Sequence, residues 1–210
     1  MIIHAQKGRG SKIHLLLDGE YEITTDAEFW AENFYKNGTE ISEEQWELLV
    51  RKINYRKAFN KCADLLSRRD HSVKELKEKL LRTADEEAAD KEIERFSELG
   101  YLNDERFARN LAEHLYKNKN YSDNHVRQEL YKRGISREIA AEIIDDSEID
   151  AVETIITLVE KKYYSKLYAD NGREKVVAAL MRKGFSYGDV KAALYRIENN
   201  GYVKGWNDFS

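Results

Sequence analysis

The side chains in this sequence with most to offer chemically are paired cations: Arg68 with Arg69, Lys132 with Arg133, and Arg182 with Lys183. The last two pairs stand 50 residues apart, each directly before a glycine, and Arg127 lies five residues ahead of Lys132. Guanidinium and ammonium groups at such corners reach out toward carboxylates or phosphates, so these seven residues form the candidate partner-binding set. Cations in the last turn of a helix also complement the carbonyl end of its dipole, a purely structural use of the same residues. Patterns for catalysis are missing from the sequence. The histidines at 4, 14, 71, 114 and 125 have no metal-ligand spacing, and Cys62 sits on an apolar helical stripe where a buried, inert thiol is the ordinary outcome. Gly8-Arg-Gly-Ser-Lys12 lacks the frame of a phosphate loop and reads as a hairpin turn. Asp145-Asp-Ser-Glu148 lacks the spaced ligands and glycine of a calcium loop and reads as a solvated link. No metal, cofactor or enzymatic activity is expected.

The elements that position the cations repeat. Ser72-Val-Lys-Glu-Leu76, Ser122-Asp-Asn-His-Val126 and Gly172-Arg-Glu-Lys-Val176 align at a 50-residue spacing and close with Leu80, Leu130 and Leu180. Each opens with a residue that caps or breaks a helix and then places apolar side chains four apart, on one helical face. Leu130-Tyr-Lys-Arg-Gly134-Ile-Ser136 returns as Leu180-Met-Arg-Lys-Gly184-Phe-Ser186: a helix end, a left-handed glycine, and a new serine cap, the second with Asp189 in capping-box position. Around these middle helices, opening helices carry Ala58, Cys62 and Leu65; Phe107, Leu111 and Leu115; and Ile155, Leu158 and Val159. Closing helices carry Ile93 and Phe96; Ile139 and Ile143; and Val190 and Leu194. Helical spacing assigns Tyr163, Tyr164 and Tyr168 to packing against a neighbouring repeat rather than to stacking on bases. Arrays of this kind usually bind and seldom catalyse.

Residues 1–50 read differently. Ile13–Leu17 and Tyr21–Thr25 flank an Asp18-Gly19-Glu20 hairpin signal, and Ile2-Ile3-His4 supplies a third strand. Asp26 caps a short helix through Trp30 and Phe34, and Ser42-Glu-Glu-Gln45 is a capping box opening a long helix toward Leu66. The reading is a mainly α chain, a tandem array of three three-helix repeats behind a small β-rich N-terminal segment. Its boundaries are 1–54 for the extension, 55–102, 103–149 and 150–199 for the repeats, and 200–210 for a tail without structural signal.

Composition narrows the class of function. With 41% hydrophobic and 35% charged residues the chain is too apolar for disorder, and no apolar run approaches the roughly 20 residues of a membrane span. There is no proline, which favours long helices, and the single cysteine cannot form an internal disulfide. With no secretory signal visible, a reducing cytoplasm is the expected compartment. The net charge of −4 conceals 11 Lys/Arg against 4 Asp/Glu in residues 51–83, a local block able to steer toward an acidic partner.

The stretch Ala63-Asp-Leu-Leu-Ser-Arg-Arg-Asp-His-Ser72-Val-Lys-Glu-Leu-Lys-Glu-Lys-Leu80 resembles the first repeat of the RecX family of RecA regulators. Gly100-Tyr-Leu-Asn-Asp104-Glu-Arg-Phe107-Ala108, Val126-Arg-Gln-Glu-Leu130-Tyr-Lys-Arg-Gly134-Ile135 and Leu180-Met-Arg-Lys-Gly184-Phe185-Ser186-Tyr187 agree in order and spacing. The resemblance covers about residues 55–197, and the β-rich segment is similar to the extension of longer members. It implies a non-enzymatic modulator, usually a repressor, that binds RecA and the RecA–single-stranded DNA filament and so regulates DNA repair and the SOS response. It further implies a monomer with at most weak direct DNA contact and no membrane association. The chain departs from the family in lacking a glycine near Ala84 and in carrying Asn120-Tyr121 where a Gly-rich turn is common. The alternative is a DNA-binding helical module with no required protein partner, whose binding would weaken steeply with salt.

Overall fold

The computed structural model describes residues 1–199; the tail expected at 200–210 lies outside the described residues. The chain divides into two compact units, Met1–Asn103 and a second beginning at Asp104.

In the first unit, β1 (Ile2–Lys7), β2 (Lys12–Leu17) and β3 (Glu20–Asp26) form an antiparallel meander. The β2–β3 turn has Asp18 at φ 49° and Gly19 at φ 91°, the two left-handed positions that a tight hairpin matching strand twist requires. A short strand not anticipated from sequence, β4 (Thr39–Glu40), pairs with β1, so the sheet order is β3-β2-β1-β4. Among the described residues, all β-structure precedes Ile41. Ile3, Leu15 and Leu17 are buried against Phe29 and Trp30 of α1 (Ala27–Glu32) and Leu49 and Ile53 of α2 (Glu43–Leu66). Helix α1 stops short of the expected Phe34, because the Asn33 N–H and side-chain amide both donate to the Phe29 carbonyl and close the helix.

Helix α2 opens with the expected capping box: Ser42 Oγ accepts from Gln45 N, and Gln45 Oε1 accepts from Ser42 N at 2.9 Å. Its first half covers the sheet; its second half, through Cys62, packs with α3 (Val73–Leu80) and α4 (Glu86–Glu98) as the first three-helix core. Where later repeats use a glycine turn, Leu80–Ala84 forms a tighter corner and Asp85 caps α4 by accepting from Ala88 N at 2.9 Å.

The second unit holds two three-helix cores. One comprises α5 (Asp104–His114), α6 (Asp123–Lys132) and α7 (Arg137–Asp145) around Phe107, Val126, Leu130 and Ile143. The other comprises an opening helix in two pieces, α8 (Ala151–Leu158) and α9 (Tyr164–Leu167), with α10 (Gly172–Arg182) and α11 (Tyr187–Asn199) around Ile155, Val176, Leu180 and Leu194. Both opening helices end in a π-turn, Leu115–Lys119 and Val159–Tyr163, which no local sequence signal marked.

The 50-residue period survives as a burial period. Ser72, Leu76 and Leu80, then Ser122, Val126 and Leu130, then Gly172, Val176 and Leu180 are all buried. Gly134 and Gly184 adopt φ 81° and 84°, as the helix-end reading requires. Ser72, Ser122, Ser136 and Ser186 each accept from the backbone N–H three residues on. At Ser186 the pairing with Asp189 is not the full box: the serine hydroxyl donates to Asp189 Oδ2 at 2.7 Å. Gly172 is not a helix breaker. A Cβ there would lie 1.9 Å from the Lys166 carbonyl oxygen, so the residue is glycine because two backbone segments touch, and Asn171 at φ 55° makes the bend instead. Asn120 does the same at φ 50° before α6.

Candidate functional site

The seven candidate cations fall into three local settings. In the first unit, Arg68 and Arg69 occupy the corner between α2 and α3. Arg68 Nη2 meets Asp64 Oδ1 at 2.7 Å one helical turn back, with 71% of its side chain exposed. Arg69 Nη1 donates to the Asp70 carbonyl at 2.8 Å and to Glu75 Oε2 at 3.1 Å, so it straps the corner across the Ser72 cap. Beneath them His71 is buried. Burial pushes its imidazole below the ordinary histidine range. Lys79 Nζ donates to Nε2 at 2.9 Å, which places the ring proton on Nδ1, where it donates to the Arg69 carbonyl at 3.1 Å. A neutral histidine therefore underpins the two arginines.

In the second unit, Lys132 and Arg133 end α6 and share Glu129. Its carboxylate accepts from both at 2.7 Å, and these two partners hold it below the usual carboxylate range. Arg133 also donates to the Glu129 carbonyl at 3.1 Å and is the more buried of the pair, 30% exposed at the side chain against 66% for Lys132. Arg127, one turn earlier, donates to Asn124 Oδ1 at 3.1 Å.

Arg182 and Lys183 repeat that division. Arg182 is exposed and, among the described residues, makes no ion pair. Lys183 is half-buried and turned into the joint between the second and third cores: its Nζ donates to the Lys119 carbonyl at 2.8 Å and lies 4.9 Å from the Tyr121 ring centroid. Burial, then the charges of Lys162 and Lys119, push its ammonium below the ordinary lysine range. The Lys183 carbonyl accepts from Ser122 N at 3.3 Å, at the start of α6. Lys183 therefore sits at the N-terminal end of α6, while Lys132 and Arg133 sit in its last turn, about 15 Å away along a helix of ten residues. Within the second unit, Lys183 and the Lys132–Arg133 pair do not form one contiguous patch. The structure brings Lys183 together with Lys119 and Lys162, which sequence reasoning missed although both fall in or beside lysine-rich segments.

The tyrosines also divide. Tyr163 packs on its own core, but Tyr164 and Tyr168 are exposed and meet each other at 5.3 Å between ring centroids, not a neighbouring repeat. Beyond the π-turn at Val159–Tyr163 it is Leu167, not Tyr164 or Tyr168, that enters the core. Cys62 is buried, and burial pushes its thiol up to about 12, outside the range of a nucleophile at neutral pH. Among the described residues no group of three or more His, Cys, Asp or Glu is arranged to hold a metal ion. Among the same residues no helix is long and apolar enough to cross a membrane.

Comparison with known proteins gives three consecutive family matches: residues 58–96 to the first three-helix domain of RecX, 103–144 to the second and 148–194 to the third. The regulatory protein RecX of Caldanaerobacter subterraneus subsp. tengcongensis is 32% identical over 192 residues, spanning 90% of this chain and 95% of that protein. The Bacillus subtilis protein of the same name is 28% identical over 93% of this chain and 76% of its own length. Among solved structures, a crystal structure of regulatory protein RecX shares the fold with a TM-score of 0.63 at 20% identity, covering 92% of this chain and 97% of that one. RecX from Lactobacillus salivarius does so with a TM-score of 0.60 at 23% identity over 69% of this chain.

Proposed function

The chain belongs to the RecX family of regulatory proteins, and on that premise we propose that it binds RecA and the filament RecA forms on single-stranded DNA, restraining recombinase activity without catalysis of its own. The observation that carries the reading is the match of all three helical repeats, in order, to RecX domains. The candidate contacts are the more exposed members of the cation pairs, Arg68, Lys132 and Arg182, with Arg69, Arg127, Arg133 and Lys183 as their neighbours. Each pair supplies one outward charge and one anchored charge, so the outward one is held at a defined corner, ready for a carboxylate or phosphate. The protein acts as a monomer in the cytoplasm.

The test is the DNA-dependent ATP hydrolysis of RecA on a poly(dT) strand with increasing amounts of this chain. Hydrolysis should fall, and it should fall less with the Arg68→Glu, Arg69→Glu double variant. A rise in hydrolysis would reverse the sign of regulation; no change at any ratio would remove RecA as the partner.

A further inference from the structure

Lys12, Lys57, Lys61 and Arg82 of the first unit line one open cleft, and none of these four makes an ion pair among the described residues. The floor is a face of α2 on which Lys57, Asn60, Lys61 and Asp64 follow one another at i, i+3, i+4 and i+7, the spacing of a helical stripe, here polar where a core-facing stripe would be apolar. One wall is the start of β2 with the end of β3, and the other is the turn between α3 and α4, so the cleft of about 660 Å³ joins the N-terminal sheet to the first repeat.

The carboxylates at its edge do not neutralise it. Asp26 accepts from Phe29 N at 2.8 Å as the cap of α1 and pairs with Arg56 at 3.5 Å; Asp64 is taken by Arg68 at 2.7 Å. Lys57 is half-buried, and burial pushes its ammonium below the ordinary lysine range, the direction expected where no anion is at hand.

We propose that this cleft holds the sugar-phosphate backbone of a nucleic-acid strand, with Lys57 and Lys61 as the central contacts. All four cations suit phosphate oxygens, the three lysines as compact point charges and Arg82 through its bidentate fork. Hydroxyl and amide groups, among them Asn60 and Thr83, supply further donors of the kind that contact phosphate. No aromatic ring lines the cleft, so nothing there stacks on a base, and binding should be indifferent to sequence. The site borders the Arg68 corner through Asp64 but uses none of the seven cations of the pairs, and it does not require RecA.

The experiment is fluorescence anisotropy of a labelled 20-nucleotide oligo(dT) titrated with the full chain between about 25 and 200 mM salt. Each phosphate contact contributes about 0.7 to the slope of log K against log salt on a single strand, so Lys57→Gln with Lys61→Gln should lower the slope by about 1.4 and weaken binding roughly tenfold at low salt. The charge-retaining pair Lys57→Arg, Lys61→Arg should keep most of the affinity, and Lys191→Gln, on α11, should change nothing. An oligo(dA) strand should bind as oligo(dT) does. Unchanged slope and affinity in the Gln pair would overturn the proposal. So would competition by inorganic phosphate at the same concentration of phosphate groups, which would mark a small-anion site. A Gln pair that keeps DNA binding but loses an oligoglutamate peptide would assign the cleft to acidic protein instead and likewise overturn it.

Discussion

Replacing Gly184 by alanine tests the joint between the second and third helical cores. Two separate costs are readable from the geometry. Gly184 has φ 84°, and an L-residue held in the left-handed region costs about 1–2 kcal/mol. The added methyl would also lie 2.5 Å from Ser122 Oγ, 3.1 Å from His125 Cβ and 3.2 Å from His125 N. The backbone nitrogen cannot yield cheaply, so the serine must rotate and give up the bond it accepts from His125 N at 3.3 Å, the cap of α6. Losing such a cap costs about 0.5–2 kcal/mol, for a total of about 1.5–4 kcal/mol. Gly10 is the control: its φ is 69°, and a Cβ there meets nothing within 4 Å, so Gly10→Ala should cost only about 1 kcal/mol. Urea denaturation followed by far-ultraviolet circular dichroism measures both. If Gly184→Ala costs no more than Gly10→Ala, the Lys183–Gly184 turn does not rest on the start of α6, and the joint described above is wrong.

Reversing Arg68 and Arg69 to glutamate should weaken association with RecA filaments at least tenfold while shifting unfolding by no more than about 2 kcal/mol, since exposed pairs such as Arg68–Asp64 contribute about 0–1 kcal/mol each. Adding Lys132→Glu and Arg133→Glu should deepen the loss, because the sites lie in different repeats; early unfolding of the arginine variant would mark the pair as structural instead. Glu92 is buried with Oε2 lacking a hydrogen-bond partner, and burial raises its carboxyl above the ordinary value of 4.5, only partly offset by Arg95. The folded chain therefore binds that proton more tightly than the unfolded chain, so stability falls as pH rises from about 4.5 through the raised folded value and stays lowered above it. Glu92→Gln removes this penalty and should gain about 1 kcal/mol at pH 7, with the gain shrinking toward pH 4; a gain that grows on acidification would show the sign to be wrong.

What was legible in the chain was local chemistry. The Asp18-Gly19 turn, the Ser42–Gln45 box, the serine caps and the left-handed glycines at 134 and 184 all depend on residues within four positions of one another, and all appear in the structure. Sequence alone failed where a distant segment decides. Gly172 aligns with Ser72 and Ser122, but what it answers to is the Lys166 carbonyl, brought against it by the turn after α9. The π-turns carry no local mark, and Tyr164 and Tyr168, beyond the second of them, are exposed where helical spacing alone predicts packing. Among the cations, the pairing of Arg68 with Asp64 and of Arg133 with Glu129 follows i, i+4 spacing and was open to inspection. The bond from Lys183 to the Lys119 carbonyl spans 64 residues and was not. The stripe Lys57-Asn60-Lys61-Asp64 could be read from its spacing, but the walls that make it a cleft come from strands and a turn far along the chain.

The central claim is that this chain is a RecA-filament regulator, and cosedimentation tests it most directly. RecA assembled on single-stranded DNA with a non-hydrolysable nucleotide is pelleted in the presence of the full chain, with the same DNA alone as control. The account predicts that the chain pellets with the filament far more than with DNA alone, and that the excess persists at salt concentrations that abolish its binding to naked DNA. Equal pelleting with and without RecA, lost in parallel as salt rises, would contradict it and leave a direct DNA-binding protein in its place.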